Sequence, residues 1–186
     1  MSRSRVAVAS VFLLVASLLT LPVAAQEAPE YVIVDPAEDF EALPGATAFA
    51  GTVTVEGEES GYRIEVPDDW NGTLVLYAHG FVGPQIPELV VQNPPLRELF
   101  IDQGFAWAAS SYSANGYVIG AGVEESDALR AQFADLTGLS APSATIVHGI
   151  SMGGHITGVA IDAEEVATNG LADNLVQRTR PRRRSL

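Results

Sequence analysis

Three short apolar segments constrain the fold of this chain more than any other feature. They have the sequences TLVLYAH, FAWAASS and SATIVH, at residues 73–79, 105–111 and 143–148. Near-continuous apolar runs of this length are typical of strands that are buried on both faces of a sheet. Segments with helical patterns separate and follow them, and this alternation predicts an α/β fold in which helices flank a mostly parallel sheet on both faces.

Two of the helical segments have clear signals. LRELFIDQG predicts a short helix that ends at Gly104. In the second segment, Leu129, Phe133 and Leu136 recur at helical spacing, and acidic residues are expected on the opposite, solvated face. This second helix is predicted over 123–136 and ends at a Thr-Gly pair.

A hairpin is predicted upstream of the first apolar segment. ATAFAGTVTVE at 46–56 and GYRIEV at 61–66 are rich in residues that favour strands. The charged segment GEES at 57–60 is the predicted loop between them. The Asn71-Gly72 pair that follows is a strong signal for a tight turn into the first apolar strand.

The first 45 residues differ from the rest in composition. Arg3 and Arg5 precede an unbroken apolar run that small residues follow, so residues 1–25 are predicted to be a secretory signal peptide, cleaved after Ala25. The apolar run is too short to favour a membrane span. We therefore expect a secreted or periplasmic protein with no stable membrane insertion after cleavage, and an extended, proline-broken lead-in at 26–45.

Charge is distributed unevenly along the chain. All ten basic residues are arginines, and five of them lie in a segment at 168–186 that is predicted to be a basic, disordered tail. Residues 26–177 carry three arginines and all 23 acidic residues, a formal charge of −20. Because residues 26–177 carry so much negative charge, they repel the phosphate backbone of DNA and RNA, which argues against a nucleic-acid partner. The chain has no cysteine, which excludes disulfides and thiolate metal ligands, and no metal site is predicted.

GISMGGH, at residues 149–155, has the clearest chemical signal. Where a buried strand turns sharply into a helix, the residues two before and two after the turn must be tiny, and Gly149 and Gly153 occupy these positions around Ser151. Such a turn raises the serine hydroxyl into a cleft and places free helix amides beside it. The segment predicts Ser151 as a nucleophile and the Met152 amide as one donor of an oxyanion hole.

The end of the first apolar strand supplies a second donor. His79 and Gly80 follow this strand directly, at a turn from which a backbone amide can face the same cleft. Phe81 is the residue whose amide is predicted to complete the oxyanion hole with that of Met152. Gly80 is a turn glycine, and His79 is expected to shape the turn rather than to act as the general base.

Three segments together carry a family resemblance. TLVLYAHGF, GFAWAASSYSANGY and HGISMGGH, in this order and at these spacings, resemble the N-terminal half of an α/β-hydrolase, closest to secreted esterases and to prolyl-oligopeptidase-like or feruloyl-esterase-like serine hydrolases. The resemblance covers roughly residues 46–163. It implies acyl transfer through a covalent acyl-enzyme, with a serine nucleophile, a histidine base and an orienting acid. It also implies a small-molecule or polymer ester substrate, with no metal or organic cofactor.

The histidines of this chain do not supply an obvious base. In that family the acid and the histidine follow the nucleophile, and His155 is the single histidine after Ser151. It lies one turn along the same helix, from which the front of the serine hydroxyl is awkward to reach, so it is expected to pack near the site instead. His148, at the end of a buried strand, is expected to be structural.

The acidic residues after Ser151 do not supply an obvious orienting group either. Asp162, Glu164 and Glu165 are expected on a solvated helix face, and none is predicted as the triad acid. A serine without a base is a poor nucleophile. We therefore expect an incomplete hydrolase domain at 46–167, which ends early through truncation or a frameshift, or has lost catalysis.

Two other functions stay open from the sequence. One is a peptidase of the prolyl-oligopeptidase type. The other is a secreted, non-catalytic binding protein on the same scaffold, with aromatic loops around Trp70, Tyr112 and Tyr117 as its contact surface. In the enzyme, SSYSANGY is either part of the substrate pocket, with Tyr112 and Tyr117 lining it, or an ordinary polar loop.

Overall fold

The structure is a computed structural model that describes residues 29–162. The predicted signal peptide, the predicted basic tail, Glu164, Glu165 and the side chain of Asp162 lie outside this description. The strands, in chain order, are β1 (Val32–Ile33), β2 (Ala46–Val55), β3 (Glu58–Pro67), β4 (Thr73–Ala78), β5 (Glu88–Leu89), β6 (Ala106–Ser110) and β7 (Ala144–Gly149). The helices are α1 (Arg97–Asp102), α2 (Ile119–Thr137) and α3 (Met152–Asp162).

Five of the strands form one sheet in the order β2-β3-β6-β4-β7. The three apolar segments of the sequence form β4, β6 and β7, and β4 pairs with both neighbours in parallel. The β2-β3 hairpin is added on one side through antiparallel pairs. The predicted α/β fold is therefore confirmed, and the sheet is mixed because the hairpin extends its parallel part.

The central strand β4 contributes to two hydrophobic cores, one on each face of the sheet. Leu74 and Leu76 belong to the core that contains buried residues of α2 and α3. Val75 and Tyr77 belong to the core that contains buried residues of α1. Successive side chains of a strand point to opposite faces, so a near-continuous apolar sequence is what a sheet with helices on both faces requires.

The β2-β3 hairpin has a tighter turn than the sequence predicts. The turn consists of Glu56 and Gly57, with φ angles of 53° and 95°, and β3 already begins at Glu58. Two consecutive residues with positive φ match the right-handed twist of the flanking strands. The residues predicted as the loop at 57–60 therefore belong mostly to the strand.

Helix α2 departs from its prediction in two ways. It begins at Ile119 rather than Val123, and its glutamate Glu125 is only 3% exposed, although the helical pattern predicts a solvated acidic face. The additional first turn of α2, residues 119–122, can pack against α3 because residue 122 is a glycine. A Cβ atom added to Gly122 would be 2.4 Å from Cδ1 of Ile156. The predicted helix end is confirmed, since Gly138 has the left-handed conformation of a C-cap (φ 72°).

The lead-in packs on the sheet and is more structured than its prolines suggest. Its β1 strand pairs in parallel with β5. Phe40 is buried, and its ring meets the Trp107 ring edge-on at a centroid distance of 5.6 Å. Within the described part of the chain, no helix has the length and hydropathy that crossing a membrane requires.

A buried ion pair holds the lead-in in place. The Glu65 side chain is fully buried, and its carboxylate accepts two hydrogen bonds from Arg97, at 2.6 Å from Nε and 2.8 Å from Nη2. The same carboxylate accepts the indole N–H of Trp107 at 2.7 Å and the backbone N–H of Leu43 at 2.6 Å. Arg97 also donates to the backbone carbonyl of Glu41. Burying a charge is favourable only with such complete pairing, so this network ties residues 41–43 to the sheet.

Removing the cation tests this role. We expect Arg97→Ala to lower the free energy of unfolding by about 3–5 kcal/mol, because it leaves the Glu65 carboxylate buried without its counter-charge. Arg130→Ala is the comparison, because the carboxylate of its partner Asp127 keeps some contact with solvent (15% exposed) whereas that of Glu65 has none, so we expect a smaller loss. Urea unfolding of both variants measures the difference, and equal losses would contradict the role of Arg97.

Candidate active site

Ser151 lies in the sharp turn between β7 and α3. Its φ angle is +58°, a left-handed conformation that costs a residue other than glycine about 1–3 kcal/mol, and its side chain is exposed. The amides of Gly153 and Gly154 close the turn by donating to the carbonyls of Ile150 and Ser151, each at 2.9 Å. The strained conformation therefore directs the serine side chain outward from the end of the sheet, at the N-terminus of α3.

The two flanking glycines are required by backbone contacts. A Cβ atom added to Gly149 would lie 2.0 Å from the carbonyl oxygen of Gly153. A Cβ atom added to Gly153 would lie 1.9 Å from the carbonyl oxygen of Ala78, at the end of β4. No side chain fits at such distances, so β4, β7 and the first turn of α3 approach one another as closely as bare backbone permits.

The register of the sheet brings the loop after β4 to Ser151. Ala78 pairs with Gly149, so Gly80 comes level with Ser151 two residues further on. A Cβ atom added to Gly80 would be 3.4 Å from the Cβ atom of Ser151 and 3.9 Å from its Oγ. The His-Gly turn and the serine therefore lie side by side at the carboxyl ends of parallel strands, where α/β proteins bind ligands.

His79 orients the peptide that follows it. Its ring is 2% exposed, with Nδ1 2.7 Å from the carbonyl oxygen of Gly80 and Nε2 3.3 Å from that of Ser111. Burial lowers the pKa of His79, whereas the two carbonyls raise it by a smaller amount. We assign the proton to Nδ1 because a carbonyl oxygen can only accept and the one of Gly80 lies closest, whereas the side-chain amide of Gln92 is 3.4 Å from Nδ1. In a planar trans peptide the C=O and N–H bonds point in opposite directions, so the amide of Phe81 points away from the buried imidazole.

Two backbone amides beside the serine are free to donate. Within residues 29–162, neither the amide of Phe81 nor that of Met152 donates a hydrogen bond. Phe81 follows the glycine that contacts Ser151, and Met152 follows Ser151 itself at the first position of α3. An oxyanion at a substrate carbonyl needs unpaired donors of this kind. The assignment of Phe81 and Met152 to an oxyanion hole stays a prediction from the sequence.

The histidines near Ser151 are occupied by other contacts. Nδ1 of His155 lies 2.8 Å from the hydroxyl of Tyr117, and the two rings tilt against each other at 5.8 Å. The partly buried ring of His148 stacks on Tyr77 and meets Phe100 edge-on, so it packs against the core on the face covered by α1. Among the described residues, no imidazole or carboxylate forms a hydrogen bond with the hydroxyl of Ser151, and no group of three His, Asp or Glu side chains could hold a metal ion.

The two tyrosines predicted to line a pocket have different environments. Tyr117 is 64% exposed and lies beside α3, where a substrate could contact it. Tyr112 is 1% exposed, with its ring stacked on that of His79 at 4.1 Å, so the prediction that it lines an open pocket is wrong. A φ angle of +59° turns its side chain inward, between His79 and α2. Trp70 is partly buried, with its ring tilted against that of Phe133 at a centroid distance of 5.1 Å.

The comparisons with known proteins concern the fold. No protein-family model and no curated protein matches the sequence. A thermostable esterase from Pseudomonas putida matches the structure with a TM-score of 0.50 and 16% identity, over 67% of this chain and 40% of its own. A mutant of the esterase rPPE, complexed with (S)-Ac-CPA, matches with a TM-score of 0.51 and 14% identity, over 71% of this chain and 43% of its own.

This chain has the α/β-hydrolase fold. The identities are low, so the likeness to these esterases shows the architecture alone. The chain spans 40% to 43% of the length of these two solved esterases.

The contacts of the flanking glycines give a direct test of the turn. We expect Gly149→Ala and Gly153→Ala each to lower the free energy of unfolding by more than about 3 kcal/mol or to prevent folding, because backbone atoms occupy the place of the added methyl group. Gly158→Ala in the same helix meets nothing within 4 Å and should raise stability by about 0.5–1 kcal/mol. Thermal or urea unfolding measures all three, and mild losses at Gly149 and Gly153 would contradict the close contact.

Proposed function

We propose that this protein is a serine hydrolase that cleaves carboxylic esters through an acyl-enzyme formed on Ser151. The observation that carries the proposal is the geometry around the hydroxyl: an exposed serine with a φ of +58° beside the loop that holds Gly80 and Phe81. The solved structures that share the fold are those of esterases, which supports ester cleavage as the reaction. The signal-peptide pattern supports an extracytoplasmic location for the activity.

The reaction follows from the positions of the donors. The Oγ atom of Ser151 attacks the ester carbonyl, and its proton passes to a general base. The carbonyl oxygen becomes an oxyanion that accepts hydrogen bonds from the amides of Phe81 and Met152. The bond to the alcohol oxygen then breaks, and the alcohol leaves with the proton that the base returns. Water attacks the acyl-enzyme by the same route in reverse and releases the carboxylic acid and the free serine.

The three histidines of this sequence all lie within 29–162 and none is assigned as the general base, so in this proposal the base and its orienting acid are not among the residues of this sequence. The rings of His148 and His155 pack against aromatic side chains, and His79 donates Nδ1–H to Gly80. A nucleophilic serine requires a base within about 2.6–3.2 Å of its hydroxyl. The strong negative charge of the body favours an uncharged ester over an anionic one.

Covalent labelling tests the proposed nucleophile. We expect a fluorophosphonate to add one phosphonyl group to the secreted protein that carries the general base, because a base-activated Oγ of Ser151 displaces fluoride from phosphorus. Ser151→Ala should abolish the adduct, and Ser140→Ala, at an exposed serine of a loop, should keep it. Intact mass and peptide mapping measure the site. Absence of an adduct, or one that persists in the Ser151 variant, would show that this serine is not activated.

A further inference from the structure

A second buried carboxylate lies near the site and has no part in the reaction described above. Glu125 on α2 is 3% exposed. Its Oε2 accepts the hydroxyl of Ser110 at 2.7 Å, and its Oε1 accepts the backbone N–H of Ser113 at 3.0 Å. Burying a carboxylate whose partners are all neutral lowers the stability of the fold. We therefore asked which parts of the structure its hydrogen bonds fix.

The carboxylate holds the segment that follows β6. The Ser110 hydroxyl, which donates to Glu125, accepts the backbone N–H of Tyr112 at 2.9 Å. The Ser111 hydroxyl donates to the carbonyl of Tyr112 at 2.9 Å. Both backbone groups of Tyr112 are therefore bound by serine hydroxyls, which compensates for its left-handed φ of +59°.

The Tyr112 ring is held there for a contact with the site. It stacks on the imidazole of His79, at a centroid distance of 4.1 Å and an interplanar angle of 22°. Its hydroxyl lies beside the His79 backbone without a hydrogen bond of ordinary geometry. The aromatic face, rather than the phenol group, is thus the part of Tyr112 that the fold uses.

The contacts form a continuous chain from Glu125 to the nucleophile. Glu125 and Ser110 set the conformation of Tyr112, the Tyr112 ring bounds one face of the His79 imidazole, and Nδ1 of His79 holds the Gly80 carbonyl at 2.7 Å. That carbonyl shares a planar peptide with the amide of Phe81. A displaced imidazole would release this peptide to rotate, and the amide would lose its direction.

We propose that Glu125 and Tyr112 are positioning residues of the Ser151 site, which fix the His79 ring and thereby the direction of the Phe81 amide. The proposal deepens the proposed function and rests on it for its catalytic meaning. The mechanical part, from Glu125 to the Gly80–Phe81 peptide, concerns the resting protein and can be tested without any reaction.

The test uses two buried serines that differ in their partners. Ser110→Ala removes the link between Glu125 and Tyr112, whereas Ser126→Ala, on the same helix as Glu125, removes only a hydroxyl that donates to the carbonyl of Gly122. NMR of ¹⁵N-labelled protein detects the Nδ1–H proton of His79 and the Phe81 amide. In Ser110→Ala we expect the ring proton to exchange with solvent at least tenfold faster and the Phe81 amide to shift; in Ser126→Ala we expect both signals as in the wild type.

A second pair of variants keeps the test decisive if the serine change alone disturbs folding. Tyr112→Phe retains the aromatic face and should retain the His79 ring proton, and Tyr112→Leu, which is apolar but smaller and has no aromatic face, should lose it. Unchanged His79 and Phe81 signals in both Ser110→Ala and Tyr112→Leu, in proteins that melt cooperatively, would overturn the proposal.

Phosphonylation adds the functional readout. Per folded protein, the labelling rate of Ser151 should fall about tenfold in Ser110→Ala, less than the hundredfold or more expected for loss of an oxyanion donor itself, and should be unchanged in Ser126→Ala. An equal loss in both variants would overturn the positioning role. A wild type that is not labelled would count against the proposed function alone, because the NMR comparison decides the positioning independently.

Discussion

The contact between the bare backbone of the turn around Ser151 and the end of β4 is the constraint on which the rest of the site depends. Gly153 leaves room for the carbonyl of Ala78, and Gly149 leaves room for the carbonyl of Gly153. This approach lets the β4-β7 register carry Gly80 to the side of Ser151. A methyl group at either glycine would separate β4, β7 and α3, and with them Ser151 from the loop that holds Gly80.

Two buried glutamates organise the two faces of the sheet around this contact. Glu65 pairs with Arg97 and ties the lead-in to the face covered by α1. Glu125 accepts uncharged donors and sets the segment after β6 on the face covered by α2 and α3. The two carboxylates differ in structural role because they differ in partners. The charged pair of Glu65 and Arg97 holds the lead-in against the sheet. The neutral hydrogen bonds of Glu125 instead fix the segment that contains Tyr112, whose φ angle is positive.

The parts of this structure that depend on local sequence could be predicted from it, and those that depend on contacts between distant segments could not. Continuous apolar character predicted β4, β6 and β7, and the glycines around Ser151 predicted the turn, since both signals lie within a few neighbouring residues. The burial of Glu125 could not be foreseen, because helical periodicity assigns an acidic residue to the solvated side unless a partner from another element meets it.

The same reason explains the error at Tyr112. A tyrosine in a polar loop at the edge of a sheet is expected to face a pocket, but its left-handed backbone turns the ring onto His79. Nothing within SSYSANGY indicates a positive φ at that position, since the hydroxyls that support it are ordinary in a loop. The packing of the lead-in also depends on a contact between distant residues, because the Glu65 carboxylate that holds it pairs with Arg97, 32 residues further along the sequence.

A crystal structure of the protein after reaction with an organophosphonate tests the central claim most directly. The account predicts phosphorus bonded to Oγ of Ser151, with the phosphoryl oxygen about 2.7–3.1 Å from the backbone nitrogens of both Phe81 and Met152. A phosphoryl oxygen directed into solvent, away from both amides, would contradict it.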